Sequence, residues 1–263
     1  MIVDNGSEDE SVGLITTWIE KSDFSYVQFV KNPRNMGFSA GMNRGIDAFE
    51  LVEPDFYWLL NNDLVTEPGA LGALLDSAAQ QPNVKIWGPT VIDSLSGKVQ
   101  CAGGCRYWRW LGIEIPVFAG KSLSDSLASE TPAYDYIYGA AMFIQGKFIK
   151  DCRGLDESYF LFYEELELSH RLSSSWDMAW CKKAVVRHDG SKMQNTPKAI
   201  RAFTAYHAAL SAYRYTWKHY PYCIATVVLC RVLGLGYLGV RGANAGLSLA
   251  ALRALGHFLK PGR

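Results

Sequence analysis

An unbroken apolar run, Phe56–Leu60, most constrains the fold of this 263-residue chain. A strand without polar residues is typical of a parallel sheet, because both faces of such a sheet are covered. Apolar strand patterns alternate with helical patterns on both sides of the run, so the sequence predicts an α/β fold with a mostly parallel sheet flanked by helices. The predicted strands are 2–3, 26–30, 56–60, 84–93 and 134–144, the predicted helices are 11–19, 39–49 and 68–81, and residues 94–130 are predicted to be irregular loop.

Charge and cysteine content exclude several classes of protein. The chain has 26 basic and 26 acidic residues, so it lacks the basic surface that general nucleic-acid binding requires, and no nucleic-acid partner is expected. Its six cysteines include no CxxC pair, which indicates reduced thiols and argues against a zinc site. The N-terminus has no basic region followed by an apolar core, so the expected location is cytoplasmic.

The sequence changes character after Pro197. Residues 201–220 are aromatic and basic, and residues 221–240 are mostly apolar but carry Arg231, which disfavours a membrane span. Two interpretations carry similar weight: amphipathic helices in peripheral contact with a membrane surface, or a helical lid packed on the sheet. The basic residues around the apolar segment agree with the first interpretation: Arg241, Arg253, Lys260 and Arg263.

Polar residues follow the apolar strand directly, at Asn61, Asn62 and Asp63. Ligands of open α/β sheets bind beyond the carboxyl ends of the strands, where Asp63 is expected to lie. Residues 61 and 63 point to the same side of a strand end, so an amide oxygen and a carboxylate can both face a hard cation bound to two phosphates. Taken alone, the motif is more typical of a simple turn.

A second acidic group is predicted at the start of a helix. Leu166, Leu168 and Leu172 supply the apolar helical positions, which places three glutamates in the first turns: Glu164, Glu165 and Glu167. The helix N-terminus favours ionised carboxylates, so a general base is expected to be charged there. Taken alone, acidic residues at this position are better explained by ordinary capping and dipole chemistry.

Two further segments lie at predicted strand ends. His188 and Asp189 close a short apolar strand before Gly190, which favours a functional histidine, although a lone histidine is more often a structural hydrogen-bonding group. Gly139, followed by two alanines, would let a substrate approach the backbone closely. Tight packing of a helix on the sheet is the alternative explanation.

The order and spacing of these motifs resemble one enzyme family. The segments "VDNGSEDES", "NMGFSAGMNRGI", "WLLNNDLVTEPGAL", "YGAAMFI", "GLDESYFLFYEELELSHRL" and "AVVRHDGS" are similar to the successive signatures of family 2 inverting glycosyltransferases with the Rossmann-like GT-A fold. The rhamnosyltransferase-like branch is the most similar. The resemblance implies a GT-A domain over residues 1–195, followed by a C-terminal helical region over residues 196–263.

The resemblance also implies a role for each matching residue. Asp63 matches the last acidic position of the metal-binding DxD motif, and His188 matches a position that completes the metal or diphosphate contact. Glu165 matches the presumed base of an ED pair, but a glutamate replaces the usual aspartate, so the assignment between Glu164 and Glu165 stays open. The residues implied in binding the donor nucleotide are Asp4, Asn5, Ser7, Asn35, Gly37, Asn43, Asn61, Asn62 and Gly139.

The implied activity is metal-dependent transfer of a sugar, with Mg²⁺ or Mn²⁺, from a nucleoside-diphosphate donor such as dTDP-rhamnose. The implied acceptor is a polysaccharide or a lipid-linked oligosaccharide, at the inner face of the plasma membrane. A nucleotidyltransferase is disfavoured because no Gly-rich, basic phosphate loop is found near the start. A catalytically impaired nucleotide-sugar-binding module and a structural membrane-surface protein remain as alternatives.

The first residues, "MIVDNGSEDES", match the second strand of the family rather than its first. The usual first strand and helix are therefore expected to be missing, together with part of the nucleotide pocket. On this hypothesis the 263-residue form is less stable, and binds its donor more weakly, than a form extended upstream.

Overall fold

The computed structural model describes residues 1–22, 26–49, 51–131, 133–174, 177–189, 197–234 and 245–260. Strands and helices alternate through the first 60 residues, as predicted, and a short extra strand then precedes the third helix. The strands are β1 (Ile2–Asp4), β2 (Phe29–Lys31), β3 (Phe56–Leu60), β4 (Leu64–Thr66), β5 (Ile86–Asp93), β6 (Val99–Ala102), β7 (Gly104–Trp108), β8 (Ile113–Pro116), β9 (Tyr136–Ile137), β10 (Ala141–Gln145) and β11 (Met178–His188). The helices are α1 (Ser11–Lys21), α2 (Phe38–Asp47), α3 (Ala70–Gln80), α4 (Leu123–Ala128), α5 (Gly146–Asp151), α6 (Glu164–His170), α7 (Lys198–His219), α8 (Ile224–Val232) and α9 (Ala245–Phe258).

The main sheet has six strands in the order β3-β10-β5-β11-β4, with β6 paired to β5. β5 and β11 are parallel, whereas β10 runs antiparallel to both β3 and β5. The prediction of an α/β sheet flanked by helices is confirmed, but the prediction that it is mostly parallel is wrong. β6 follows β5 after a connection of only five residues, which is too short for a crossover, so these two strands can pair only in the antiparallel direction.

β1 and β2 form a separate parallel pair, in which Val3 lies opposite Val30. Helix α2 packs closely on this pair, since a Cβ atom added to Gly45 would lie 3.1 Å from Val3 Cγ2. Within the described residues, β3 is an edge strand of the main sheet, and β1 pairs with β2 alone.

The prediction of an irregular loop over residues 94–130 is wrong. This segment contains β6, β7, β8 and α4, and β7 pairs with β8 and β9 in a second, three-stranded sheet. The glycines that flank these short strands are typical of loops and hide the strands from prediction, yet close packing requires glycine where β6 leads into β7. A Cβ atom added to Gly88 would lie 2.0 Å from the Gly103 carbonyl oxygen.

The C-terminal helices are packed on the sheet, as the second interpretation predicted. Buried residues of α7, α8 and α9 share one apolar cluster with strand residues, among them Tyr213, Val227, Ala251, Val91 and Val186. Within the described residues, no helix is long and apolar enough to cross a membrane. Arg241 and Arg263 lie outside the described residues. The proposed boundary at residue 195 stays a prediction.

Candidate active site

The first part of the candidate site lies where β3 ends. The backbone N–H of Asn61 donates to the Ala140 carbonyl at 3.0 Å, which ties this end to the segment that begins β10. β4 then pairs with the last residues of β11, so that Leu64 lies opposite His188. This pairing places Asp63 Oδ2 3.2 Å from His188 Nε2, with both side chains largely buried. The two predicted metal ligands are therefore adjacent.

Two oxygens in this region are buried and have no hydrogen-bond partner among the described residues: Asn61 Oδ1 and Asp63 Oδ1. Leaving such acceptors unpaired is costly, and together with the imidazole they suit a divalent cation such as Mg²⁺ or Mn²⁺. No group of three or more His, Cys, Asp or Glu side chains that could hold a metal occurs within the described residues. Further ligands would have to come from a bound diphosphate or water, which is common for these cations.

The other ring nitrogen of His188 contacts a residue that the sequence did not identify. His188 Nδ1 lies 2.7 Å from Gln100 Oε1, and because an amide oxygen only accepts, Nδ1 carries the hydrogen. Gln100 Nε2 donates in turn to the Tyr138 hydroxyl at 3.0 Å. A hydrogen-bonded chain therefore runs from His188, which lies beside Asp63, through Gln100 to Tyr138, the residue before Gly139.

The second part of the site is Glu165, at the start of α6. A Cβ atom added to Gly139 would lie 2.9 Å from Glu165 Oε1, so the carboxyl group rests directly against the backbone that precedes β10. Ala140, the next residue, is the one bonded to Asn61. The structure thus brings the predicted base and the predicted metal ligands to one short segment, 138–140.

Glu164 and Glu165 are both buried, at 4% and 8% exposure. Burial, followed by the charge of Glu114, raises the pKa of Glu165 to about 8. Burial and the neighbouring Glu165 raise the pKa of Glu164 well above its ordinary value. The prediction that the helix N-terminus keeps these groups ionised is wrong, because the loss of hydration outweighs the favourable backbone N–H groups.

A strained turn presents α6. Phe162 and Tyr163 both have left-handed backbone conformations, with φ of 67° and 72°. A left-handed backbone conformation costs a non-glycine residue roughly 1–3 kcal/mol, so contacts with neighbouring residues must stabilise this turn. The buried Tyr163 hydroxyl donates to the Gly112 carbonyl at 2.8 Å, and buried Arg231 of α8 donates to both of these oxygens. The role of Arg231 depends on long-range packing, and the sequence showed only an arginine in an apolar segment.

Glu167, on the same helix, has a different environment. Its carboxylate lies 2.7 Å from Lys218 Nζ and 2.7 Å from His219 Nε2, both near the end of α7. Burial disfavours the ionised form, but these two partners lower the pKa of Glu167 below its ordinary value. Glu167 therefore joins α6 to the C-terminal helices.

The predicted donor loop is formed around β1 and α2. Asp4 Oδ2 accepts hydrogen bonds at 3.1 Å from the backbone N–H groups of Gly6 and Ser7. The Asn5 amide donates to the Gly37 carbonyl at 2.8 Å and accepts from Asn32 at 3.0 Å, so it shapes the loop. The side chains of Ser7 and Asn35 are exposed to solvent.

Two of the predicted nucleotide-binding residues connect parts of the protein to each other. The Asn43 amide donates to the Leu155 carbonyl at 2.9 Å and accepts from the Leu155 N–H at 2.8 Å. Gly37 has φ of 92°, and an added Cβ atom would lie 2.6 Å from the Phe160 carbonyl oxygen. Both residues tie α2 to the segment that leads into α6. The Asn43 amide is already hydrogen-bonded to Leu155, and the space beside Gly37 is filled by Phe160. Asn62 is exposed in the turn after β3.

Comparison with known proteins assigns a family to this arrangement. Residues 8–210 match the family model described as "Glycosyltransferase like family 2". An N-acetylglucosaminyl-diphospho-decaprenol L-rhamnosyltransferase of Mycobacterium tuberculosis is 24% identical over 210 residues, which cover 72% of this chain and 65% of the relative. A low-salt glycan biosynthesis hexosyltransferase, Agl10 of Haloferax volcanii, is 24% identical over 174 residues, which cover 65% of this chain and 52% of the relative. The chain thus spans less than two thirds of the length of these curated relatives.

Solved structures share the fold. GalNAc-T7, crystallised with UDP, GalNAc and Mn²⁺, matches 96% of this chain and 47% of its own with a TM-score of 0.57 at 13% identity. The mannosyltransferase PcManGT of Pyrobaculum calidifontis, in complex with GDP-Man and Mn²⁺, matches 98% of this chain and 71% of its own with a TM-score of 0.54 at 13% identity. These similarities confirm the predicted GT-A fold.

Proposed function

The chain belongs to glycosyltransferase family 2, and we propose that it transfers a sugar, with inversion, from a nucleoside-diphosphate donor to a hydroxyl group of an acceptor. One observation carries the proposal: Glu165 and the Asp63–His188 pair both lie at the short segment 138–140, since Glu165 contacts Gly139 and Gln100 links His188 to Tyr138. Such a reaction needs a cationic site for the leaving diphosphate and, close to it, a base for the attacking hydroxyl.

Glu165 is the proposed base. Its ionised carboxylate takes the proton of the acceptor hydroxyl as that oxygen attacks the anomeric carbon of the donor sugar. The bond from this carbon to the diphosphate oxygen breaks, and the diphosphate leaves with the electron pair. A pKa of about 8, produced mainly by burial, makes Glu165 a stronger base than an exposed glutamate, and about a tenth of the molecules carry it ionised at pH 7.

Asp63, His188 and Asn61 are the proposed holders of Mg²⁺ or Mn²⁺. When bound, the cation would neutralise the charge that develops on the leaving diphosphate. The relation to GalNAc-T7 and PcManGT supports this choice, since both were solved with Mn²⁺ and a nucleotide or nucleotide sugar. Asp4, Ser7 and Asn35 remain the proposed contacts to the nucleoside, whereas Asn5, Gly37 and Asn43 support them by shaping the loop and α2.

The proposed donor is dTDP-rhamnose and the proposed acceptor is a lipid-linked glycan, by analogy with the rhamnosyltransferase of Mycobacterium tuberculosis. A lipid-linked acceptor implies work at a membrane surface. Peripheral contact on the cytoplasmic side is supported by large apolar side chains exposed near α7 and on α8, namely Trp110, Tyr222, Leu229 and Leu233. Trp110 and Tyr222 lie side by side, with ring centroids 5.7 Å apart.

A panel of nucleotide sugars tests the proposal. The protein is incubated with dTDP-rhamnose, UDP-GlcNAc or GDP-mannose and Mn²⁺, and both nucleoside diphosphate release and the shift of the unfolding temperature are measured. We expect release from one donor, stabilisation by the same donor, and loss of both in Asp63→Asn. Stabilisation without release would favour the impaired binding module, whose basis is the separate β1–β2 pair. Neither effect with any donor would refute the proposal.

A further inference from the structure

Gln100 occupies an irregular position next to His188. In the pairing of β6 with β5, Cys101 lies opposite Val91 and Val99 lies opposite Ile92, so Gln100 is an extra residue without a partner across the ladder. Such a β-bulge re-aims one side chain, and bulges are common beside functional sites. Here the bulge directs a partly buried amide at the imidazole of His188, at 2.7 Å.

Both ends of the Gln100 amide are engaged. Its oxygen accepts from His188 Nδ1, and its nitrogen donates to the Tyr138 hydroxyl at 3.0 Å. Rotating the amide by half a turn would place its nitrogen donors against the Nδ1 hydrogen, whereas in the observed orientation the oxygen faces Nδ1 and the nitrogen is held by the Tyr138 hydroxyl. With the hydrogen held on Nδ1, the lone pair of Nε2 points to Asp63 and is available to a cation.

We propose that Gln100 is a positioning residue of the metal site, which holds the ring orientation and the tautomer of His188 that allow Nε2 to bind Mg²⁺ or Mn²⁺ beside Asp63. This inference rests on the proposed function. Partners on the second nitrogen of a metal-binding histidine set its orientation and basicity, and their loss typically weakens metal binding about 10- to 100-fold. Tyr138 acts one step further out, by orienting Gln100.

Mn²⁺ binding, measured from the free ion by electron paramagnetic resonance, tests the inference without an activity assay. We expect Gln100→Leu to bind Mn²⁺ about 10- to 100-fold more weakly than the wild type. Gln100→Glu keeps an acceptor for the Nδ1 hydrogen and should retain wild-type binding within about 3-fold, since the second nitrogen still has its partner. Tyr138→Phe removes only the outer contact and should give an intermediate loss.

Gln145→Leu is the matched control. Gln145 is a partly buried glutamine of the same sheet, but it pairs in regular register with Phe56, at the end of β10 away from the site. It should bind Mn²⁺ like the wild type. Unfolding temperatures without metal show whether each variant is folded, and a variant with a lower temperature but unchanged Mn²⁺ affinity would indicate a purely structural role.

The outcomes separate this inference from the function on which it rests. Binding that is lost in Asp63→Asn but unchanged in Gln100→Leu overturns the role of Gln100 and leaves the metal site intact. Gln100→Glu binding as weakly as Gln100→Leu also overturns it, because the acceptor would then be irrelevant. No Mn²⁺ binding by the wild type, alone or with UDP, overturns the metal site itself and the role of Gln100 with it.

Discussion

Glu165 and Glu167 lie two residues apart on one short helix, and their environments are opposite. Both are buried, at 8% and 2% exposure. Burial and the charge of Glu114 raise the pKa of Glu165 to about 8, whereas, against the effect of burial, Lys218 and His219 lower the pKa of Glu167. One helix thus carries the proposed proton acceptor on one side and a structural ion pair on the other. The groups that surround each carboxyl, rather than the helix or the residue type, cause the difference between the two pKa values.

Glu165→Gln should have the largest effect. Glutamine has the same shape but cannot take the acceptor proton, so we expect sugar transfer to fall about 10²- to 10⁴-fold, as for loss of a general base. Binding of the donor, measured by thermal shift, should be retained. Glu164→Gln, the neighbouring control, should lose less sugar-transfer activity than Glu165→Gln. If Glu164→Gln is the more damaging variant, the roles of the two residues are exchanged.

Gly139→Ala is expected to have the second-largest effect on activity. The added methyl group would meet the Glu165 carboxyl at 2.9 Å, and the end of a flexible side chain can move aside without unfolding the protein. A catalytic group displaced by about 1 Å can cost about 10²-fold in rate. The turnover number should therefore drop with little change in unfolding temperature. Full activity in this variant would show that the observed contact is not the working position of the base.

Glu167→Gln tests the other side of the helix. It removes the carboxylate that Lys218 and His219 share, and although Lys218 keeps its ion pair with Asp156, we expect the free energy of unfolding at pH 7 to fall by about 1–3 kcal/mol. Activity per folded molecule should stay near the wild-type value, because Glu167 does not face the segment 138–140. Chemical denaturation gives the first quantity. A loss of turnover as large as in Glu165→Gln would contradict the division of roles.

The pH dependence of stability should have opposite signs at the two positions. Since the pKa of Glu165 is about 8 in the folded state and 4.5 in the reference state, its contribution to stability is lost as pH rises from about 4.5 to 8. The free energy of unfolding of Glu165→Gln should therefore increase relative to that of the wild type as pH rises across this window, by at most about 1.4 kcal/mol per pH unit. The pKa of Glu167 lies below 4.5. The loss of stability in Glu167→Gln relative to the wild type should therefore be largest above pH 4.5 and become smaller below it.

Local patterns predicted the parts of the site that depend on neighbouring residues in sequence. The apolar strand Phe56–Leu60 and the polar residues after it required only the rule that ligands bind at carboxyl ends of strands. The same holds for the start of α6. The family and the fold followed from the order of these motifs, and the comparisons confirmed both.

The remaining features depend on contacts between distant segments. Gln100 reaches His188 through a bulge, and Arg231 reaches Tyr163 across 68 positions, so neither role has a local pattern. The pKa of Glu165 could not be predicted either, because it is set by burial and by Glu114 in β8. Strands β6 to β8 were missed because the glycines that allow their close packing are themselves typical of loops.

The difference between the pKa values of the Glu165 and Glu167 carboxyl groups can be measured directly. Glutamate labelled with ¹³C at the side-chain carboxyl gives one resonance per residue, and Glu165→Gln and Glu167→Gln identify the two of interest by their disappearance. We predict that the Glu165 resonance titrates with a pKa of about 8 and that the Glu167 resonance titrates below 4.5. A Glu165 carboxyl that titrates at or below 4.5 would contradict the account.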